Sequence, residues 1–200
     1  MIGRLLAVVL ILLAATPSLA GAEEDPRAVV QQLSDCLLDV MKHGSELGFE
    51  GRAEKLQPVV SVVYDMAAMT KGTLGPAAAK LSSEEAGRLA EAYRRYSVAT
   101  YADQFDGWAG ERFVVGRPRP TENGLVVVPS QIVPASGTAT EIDYLLHQDG
   151  EHWQIVDVLF DGTISQVAVR RSEFVPIFRR EGLAGLIAVL DGKSVSLGKK

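Results

Sequence analysis

The hydrophobic pattern of this 200-residue chain changes its period near residue 112. Before that point, apolar residues recur every three or four positions, as they do in amphipathic helices. After it they form short runs bounded by Gly, Pro and Asp, as in β-strands, until a helical pattern returns near residue 163. This order of segments favours an α+β fold.

The first half of the chain predicts several helices. Asp25 and Pro26 supply an N-cap and a proline at the first helical position, and the helix that follows should end near Gly44. A turn-rich stretch and a second helical stretch come next. Beyond Pro58, an almost continuously apolar segment over 59–69 is expected to be helical but short or broken.

A long aromatic helix is expected to follow. Ser82 and Glu85 form the capping-box pattern that opens it, and it should run to about residue 108. Its large apolar side chains form a stripe that drifts around the helix axis: Leu89, Tyr93, Tyr96, Tyr101, Phe105 and Trp108. Ordinary core packing and the wall of a binding site both remain open for this stripe.

Four runs in the second half have the pattern of strands: 112–115, 125–133, 138–147 and 151–160. Asp149-Gly150 between the last two is a strong hairpin signal, so the sheet should be largely antiparallel. The last run is apolar on both faces. Val156, Val158 and Phe160 should share one face, and the opposite face should carry Trp153, Ile155 and Leu159.

A second capping-box pattern, Thr163 with Gln166, predicts a C-terminal helix that is kinked at Pro176 and followed by a short helix over 183–190. Its outer face should carry a basic strip formed by Arg170, Arg171, Arg179 and Arg180. This strip could guide the protein to anionic lipid or to a transporter, or it could be an ordinary solvated helix face.

The first residues have the pattern of a cleaved signal peptide. Arg4 provides a positive start, residues 5–15 are apolar, and small residues precede Glu23. The apolar run is well short of the roughly 20 residues that span a bilayer, which argues against an uncleaved anchor. We therefore expect residues 1–22 to be a signal peptide for export to the periplasm and residues 23–200 to form a single domain.

Composition excludes some classes of protein. The formal net charge of −5 and the sequence pI near 5.3 give no reason to expect nucleic-acid binding. Cys36 is the only cysteine, so no internal disulfide can form. It lies among apolar residues at helical spacing, and a buried, inert thiol is a better interpretation than a nucleophile.

Catalytic motifs are missing from the sequence, which has neither a G-x-S-x-G turn nor a glycine-rich phosphate loop. His147 and His152 would face each other across the hairpin, but no third ligand accompanies them, which favours a solvated hairpin end over a zinc site. Asp157 with Tyr144 could form a cavity acid and an oxyanion donor, although a buried Asp more often accepts hydrogen bonds from neighbouring groups. We predict no metal, no cofactor and no enzyme activity.

Four segments, in this order and spacing, carry a resemblance to a known family: 25–41, 64–67 followed by Leu74-Gly75, 96–102 and 153–158. In these segments the chain resembles the exported toluene-tolerance proteins, which include the periplasmic phospholipid carrier of the maintenance-of-lipid-asymmetry (Mla) transport system. Residues 161–165 and 170–174 differ from the usual sequence of that carrier and are similar to a branch of the family associated with hopanoid-biosynthesis loci. The resemblance makes a hopanoid the preferred cargo and a phospholipid the alternative.

The resemblance also implies a fold and partners. The helical layer should pack on a twisted sheet, in an NTF2-like or cystatin-like arrangement, and enclose an apolar cavity that holds acyl chains with the head group near solvent. The implied partners are an outer-membrane complex and an inner-membrane ABC transporter with its lipid-binding capture component, with transient membrane contact. A small lipid-modifying enzyme using Asp157 and Tyr144, or an adaptor that binds no lipid, remains open.

The expected lipid-binding residues come from the apolar segment, the aromatic helix and the last two strands. Each of them could equally fill a packed core. They are Val59, Val63, Met66, Met69, Tyr93, Tyr96, Tyr101, Tyr144, Val156, Val158 and Phe160.

Overall fold

The computed structural model describes residues 25–199. Its helices are α1 (Pro26–Lys42), α2 (Gly44–Val63), α3 (Met66–Leu74), a 3₁₀ helix (Gly75–Lys80), α4 (Ser83–Gln104) and α5 (Gln166–Leu197). Its strands are β1 (Arg112–Val115), β2 (Arg119–Pro120), β3 (Val126–Val133), β4 (Thr140–Asp149), β5 (His152–Phe160) and β6 (Ile164–Ser165). The predicted signal peptide lies outside the described residues.

The strands form one antiparallel sheet in the order β1-β3-β4-β5-β6, and β2 also pairs with β3. Asp149 pairs with His152, which confirms the predicted hairpin. Ile142, Tyr144 and Leu146 of β4 are buried on one face, and α1, α2, α3 and α5 all contact β5. The predicted α+β fold, with helices packed on a largely antiparallel sheet, is confirmed.

Side-chain caps fix the starts of α1 and α4 as predicted. The Asp25 carboxylate accepts a hydrogen bond of 2.9 Å from the backbone amide of Arg27, and Ser82 with Glu85 forms a complete capping box. The predicted end of α4 near Trp108 is wrong. The helix stops at Gln104, because Phe105 leaves the helical conformation, and Trp108 lies in the following loop with half of its surface exposed.

The apolar segment over 59–69 is helical but broken, as predicted. α2 runs through Pro58, where Leu56 and Val60 on either side are fully buried. The chain instead leaves the helix at Tyr64, which forms a parallel bridge with Ile155 of β5. The amide of Asp65 donates to the carbonyl of Ile155 at 3.0 Å, so the junction of α2 and α3 is attached to the sheet.

The C-terminal helix also differs from its prediction. Its N-cap is Ser165, whose hydroxyl accepts from the amide of Ala168, so the capping box predicted at Thr163 is two residues early. The helix passes Pro176 without a break and is interrupted at Gly182, where φ of +69° favours glycine. A second helical segment then continues to residue 197, beyond the predicted end at 190.

A β-bulge changes the faces of β5. The register between β4 and β5 shifts at Leu145/Leu146, so Val156 has no cross-strand partner and Ile155 pairs with Leu146. Ile155 is therefore fully buried on the core face, although strict alternation placed it on the opposite one, and Val156 is only half-buried. The prediction that Val156 shares the core face with Val158 and Phe160 is wrong for Val156.

Within residues 25–199, none of the helices is both long enough and apolar enough to cross a bilayer. The interior is a continuous apolar core to which all the large helices and the central strands contribute. Two charged side chains are buried among the described residues, Arg52 and Asp157. Arg52 donates to the carbonyls of Ala102 at 2.8 Å and Gly44 at 2.6 Å, and so holds α2 against the C-terminal end of α4.

Candidate functional site

A cluster of four tyrosines lies between α4, β4 and the junction of α2 and α3. Tyr93 and Tyr101 come from α4, Tyr144 from β4, and Tyr64 from the junction; Tyr64, Tyr93 and Tyr144 are buried, and Tyr101 is half-buried. The hydroxyl groups of Tyr64 and Tyr101 are hydrogen-bonded to each other, and their rings stack with centroids 6.3 Å apart. Burial raises the pKa of all four phenols above the ordinary value, so they remain neutral in water near pH 7.

A narrow opening leads from this cluster to the surface between α4 and α5. The space has a volume of about 60 Å³ and is lined by Tyr93, Tyr96, Ser97, Thr100, Tyr101, Gln166 and Arg170. We call this opening the Arg170 mouth. Phe174 packs behind it, with its ring centroid 6.1 Å from that of Tyr93 and 6.3 Å from that of Tyr96. The mouth therefore has an aromatic wall and one cationic side.

Arg170 does not lie on the outer face of α5, as its position in the basic strip predicted. Its side chain is only 18% exposed, and its guanidinium carbon lies 4.8 Å from the centroid of the Tyr96 ring. Lys193 approaches the same ring at 5.8 Å, and both cations are within 4 Å of the Glu173 carboxylate. Two positive charges thus share one negative charge beside the mouth.

The other arginines of the predicted strip do not form a free cationic surface either. Arg171 donates two hydrogen bonds to the carbonyl of Gly72, and Arg180 pairs with Glu181. Arg179 is exposed. The prediction that all four point outward as one strip is therefore wrong, because Arg170 and Arg171 fold back onto the helical layer.

Three of the predicted lipid-binding residues meet at the mouth: Tyr93, Tyr96 and Tyr101. Val63 lines a different space of about 290 Å³ near the tip of the β4–β5 hairpin. The remaining predicted residues line neither space. Met66, Met69, Tyr144 and Val158 are buried, and the half-buried ones are Val59, Val156 and Phe160.

The interior behind the mouth is closely packed. A space of about 10 Å³ lies between Tyr93, Phe174 and the two buried leucines of the last helical segment, Leu186 and Leu190. This space is about large enough for a single water molecule, so these side chains pack closely against one another. Met66, Met69, Tyr144 and Val158 belong to the same apolar core.

The alternative catalytic pair is not brought together. Asp157 pairs across the sheet with Leu145, whereas Tyr144 pairs with Val158. The Asp157 carboxylate accepts hydrogen bonds from the amides of Val158 at 2.8 Å and Val167 at 3.0 Å and from the Ser165 hydroxyl. Asp157 thus satisfies donors at the start of α5, as expected for a buried aspartate.

The histidine pair predicted across the hairpin is wrong. His152 pairs with Asp149, and His147 pairs with Gln154. His147 turns instead towards α3, where its Nε2 lies 3.0 Å from Oδ2 of Asp65. In the part of the chain that the structure describes, no three His, Cys, Asp or Glu side chains are arranged to hold a metal ion.

Three residues of the site could not be found from the pattern of apolar residues. Tyr64 lies at a helix junction, and its role depends on the bridge to β5. Arg170 and Lys193 are polar, so periodicity assigns them to solvent, and only their packing over Tyr96 brings them to the mouth. The four-residue spacing of Arg170 and Phe174 was the one available signal, because it places both on one helix face.

Comparison with solved structures defines the class of fold. The chain is similar to the phospholipid-binding protein from Ralstonia solanacearum, solved in complex with a phospholipid, with a TM-score of 0.71. Sequence identity is 20%, and the alignment covers 87% of this chain and 99% of that chain. The domain therefore has the helix-on-sheet fold of that protein.

The family model described as "MlaC protein" matches residues 31–192, and the chain belongs to this family. This match confirms the resemblance to Mla-type proteins at the level of the family. No curated protein matches the chain. The hopanoid-associated branch stays a prediction.

Proposed function

We propose that the chain is a periplasmic lipid carrier that holds the head group of a membrane lipid at the Arg170 mouth and its apolar part inside the domain. The observation that carries this proposal is the combination of a cationic opening with an aromatic, otherwise apolar interior. Family membership and the phospholipid named for the similar structure support it. The geometry offers no comparable support for catalysis, because the Asp157 oxygens are bonded to the start of α5.

The mouth is suited to a phosphate group. An arginine guanidinium donates several parallel hydrogen bonds to phosphate oxygens, and Arg170 uses one of its nitrogens for Glu173. The Tyr96 ring beneath the guanidinium supports its position, and Lys193 adds a second positive charge. Both cations lie at the surface end of the tyrosine cluster, where a lipid head group would remain near water.

The interior supplies the driving force for carrying acyl chains. Each CH₂ group removed from water contributes about 0.8 kcal/mol, and no bond has to be made or broken. The spaces behind the mouth are small, so the helices must move apart, or side chains must rotate, to admit a chain. In this proposal Tyr93, Tyr96 and Tyr101 form the entrance. The predicted residues beyond it are Val59, Val63, Met66, Met69, Tyr144, Val156, Val158 and Phe160.

The cargo and partners follow from the same proposal. A phospholipid would use the cations at the mouth, whereas a hopanoid without a phosphate would use only the apolar interior. The hopanoid as cargo is supported only by the resemblance of residues 161–165 and 170–174. We propose that an inner-membrane ABC transporter, with its lipid-binding component, and an outer-membrane complex exchange this lipid with the carrier. The predicted signal peptide over 1–22 and a single mature domain over 23–200 fit this location.

A transfer assay tests the carrier role. The mature protein is incubated with vesicles that contain a fluorescent phospholipid, and lipid recovered with the protein is measured for the wild type, Arg170→Gln and Arg179→Gln. Losing a hydrogen bond to a charged group costs about 1.5–3 kcal/mol, so Arg170→Gln should weaken retention by roughly 10- to 100-fold. The exposed Arg179 is the matched control on the same helix.

The outcomes distinguish the cargoes. A wild-type protein that removes no lipid from vesicles contradicts the carrier proposal. Equal retention by the two variants contradicts the role of Arg170. A second set of vesicles contains a hopanoid without phosphate. If the protein takes up this hopanoid equally with and without Arg170→Gln, and takes up no phospholipid, the hopanoid is the cargo.

A further inference from the structure

An apolar groove opens to solvent on the helical layer. It has a volume of about 600 Å³ and lies between α3, the 3₁₀ helix and the first turns of α4, and we call it the α3 groove. The buried Leu74 and Leu89 lie at its base. Its walls are mainly small apolar side chains: Ala67, Ala68, Pro76, Ala78, Ala79 and Ala86. The groove shares no lining residue with the Arg170 mouth and is therefore a separate surface.

The base of the α3 groove is closed. Behind Leu74 and Leu89, the space that separates them from Tyr93 and Phe174 has a volume of only about 10 Å³. This volume is about what a single water molecule needs. The groove therefore does not lead into the apolar core, and its occupant must approach from solvent.

Positive charge lies along the groove. Within residues 66–83, which include α3 and the 3₁₀ helix, the charged residues are Lys71 and Lys80, and both are exposed. Arg171 of α5 lies beside Gly75 of the groove, where its guanidinium donates two hydrogen bonds to an uncharged carbonyl of α3. Among the described residues, no carboxylate forms an ion pair with any of these three cations. All three can therefore attract an anionic partner.

The acidic side chains at the groove already have partners. The Asp65 carboxylate accepts a hydrogen bond of 2.8 Å from the amide of Ala68 and lies beside His147. The Glu85 carboxylate accepts a hydrogen bond of 2.8 Å from the amide of Ser82 in the capping box. Both carboxylates therefore stabilise the ends of helices and are not paired with the three cations.

A helix of another protein fits this groove better than a bilayer surface does. Surfaces that insert into a bilayer present large apolar side chains to solvent, and among residues 66–104 no large apolar side chain is exposed. The alanine-lined walls instead allow a second helix to approach closely. α3 rises about 13 Å over its nine residues. A partner helix of that length makes about two and a half turns and presents apolar side chains at i, i+4 and i+7.

We propose that the α3 groove is a docking site for an acidic amphipathic helix of a partner protein. Its apolar side chains occupy the groove, and its carboxylates pair with Lys71, Lys80 and Arg171. This inference goes beyond the proposed carrier function, because it assigns a surface on which a partner docks and leaves the position of the lipid unchanged. Docking and lipid loading use different residues, so variants can separate them.

Selection from a peptide library tests the proposal with a probe of defined chemistry. The mature wild-type protein is immobilised and exposed to phage that display peptides of about 16 residues, a length at which isolated helices can form. One helical face is randomised among apolar residues, and the other among Glu, Lys, Gln and Ser. We expect enrichment of peptides with apolar residues at i, i+4 and i+7 and an excess of Glu. Recovery of no binder above background, or of binders without excess Glu, overturns the proposal.

Fluorescence anisotropy with one enriched peptide locates its site. Ala86→Trp fills the groove and should weaken binding about 10- to 100-fold, because it excludes one apolar side chain of the peptide. Lys71→Glu combined with Lys80→Glu should weaken binding about tenfold, with a smaller effect at high salt. The matched controls Ala188→Trp and Arg179→Glu lie at exposed positions of α5 and should change binding less than about twofold. Equal losses in the groove variants and their controls contradict the docking site.

Two further measurements separate this proposal from its alternatives. If Ala86→Trp does not fold, Ala79→Trp replaces it, because Ala79 is an exposed part of the wall. Vesicles of phosphatidylglycerol replace the peptide in a second titration; if the wild type binds these vesicles through Lys71 and Lys80 but binds no peptide, the surface is a membrane contact and the proposal is wrong. Phospholipid retention should be unchanged in the Trp variant that loses peptide binding. A wild type that binds the peptide but no lipid would contradict the carrier function and leave the docking site standing.

Discussion

The hydroxyls of Tyr64 and Tyr101 are hydrogen-bonded to each other, and removing one of them should destabilise the protein more than removing both. Among the described residues, neither hydroxyl has another hydrogen-bond partner. Tyr101→Phe leaves the Tyr64 hydroxyl buried and unpaired, at a cost of about 1–3 kcal/mol. Tyr64→Phe should cost a similar amount. The double variant removes both polar groups and should lose less than either single variant.

Urea unfolding followed by circular dichroism measures these free energies. For a domain of this size, 1 kcal/mol corresponds to a Tm change of about 2–4 °C, so the single variants should melt about 2–12 °C lower. Tyr96→Phe is the matched control, because its hydroxyl makes no hydrogen bond to any described residue, and it should change stability by less than about 0.5 kcal/mol. If the double variant loses the sum of the two single losses, the hydroxyls are not coupled and the geometry is wrong.

Three further predictions concern the same core. Burial raises the pKa of Tyr64, Tyr93, Tyr101 and Tyr144, so the free energy of unfolding should be highest below the unfolded pKa near 10 and should fall as the pH rises above it. In urea titrations between pH 9 and 11, Tyr144→Phe should reduce this fall by up to about 1.4 kcal/mol per pH unit, and an unchanged fall refutes the raised pKa of Tyr144. Asp157→Ala leaves the amides of Val158 and Val167 unpaired and should lower the free energy of unfolding by about 2–4 kcal/mol, more than Asp157→Asn; equal losses would mean that the acceptor oxygen is unimportant. Val158→Trp should cost about 1–3 kcal/mol because Val158 is buried opposite Tyr144, whereas undiminished stability with reduced lipid loading would reveal spare volume at this position.

Local signals in the sequence predicted local structure well. The caps at Asp25 and Ser82 depend on a few neighbouring residues and lie where they were predicted. Asp149-Gly150 predicted the hairpin, but the two-residue turn lies one position later, at 150–151, which is why His147 does not face His152. Pro58 and Pro176 both lie inside helices, in α2 and in the first segment of α5. The interruption at Gly182 needs only one glycine with positive φ, which periodicity does not detect.

The site depended on non-local contacts. Because of the bulge opposite Leu145, Ile155 is buried in the core, where Val156 was expected. An alternating pattern does not predict where a strand carries such an extra residue. Arg170 was assigned to solvent by its charge, but its side chain packs over Tyr96, a residue about 70 positions earlier in the chain. Tyr93, Tyr96 and Tyr101 were predicted together because helical spacing alone places them on one side of α4.

Native mass spectrometry of the mature protein, purified without detergent, tests the carrier function most directly. We expect that the protein carries lipid from the cell and that, once stripped, it takes up phospholipid from vesicles in a one-to-one complex. Arg170→Gln should lower the occupied fraction, and Arg179→Gln should leave it unchanged. A folded wild-type protein that carries no lipid and acquires none from vesicles would contradict the account.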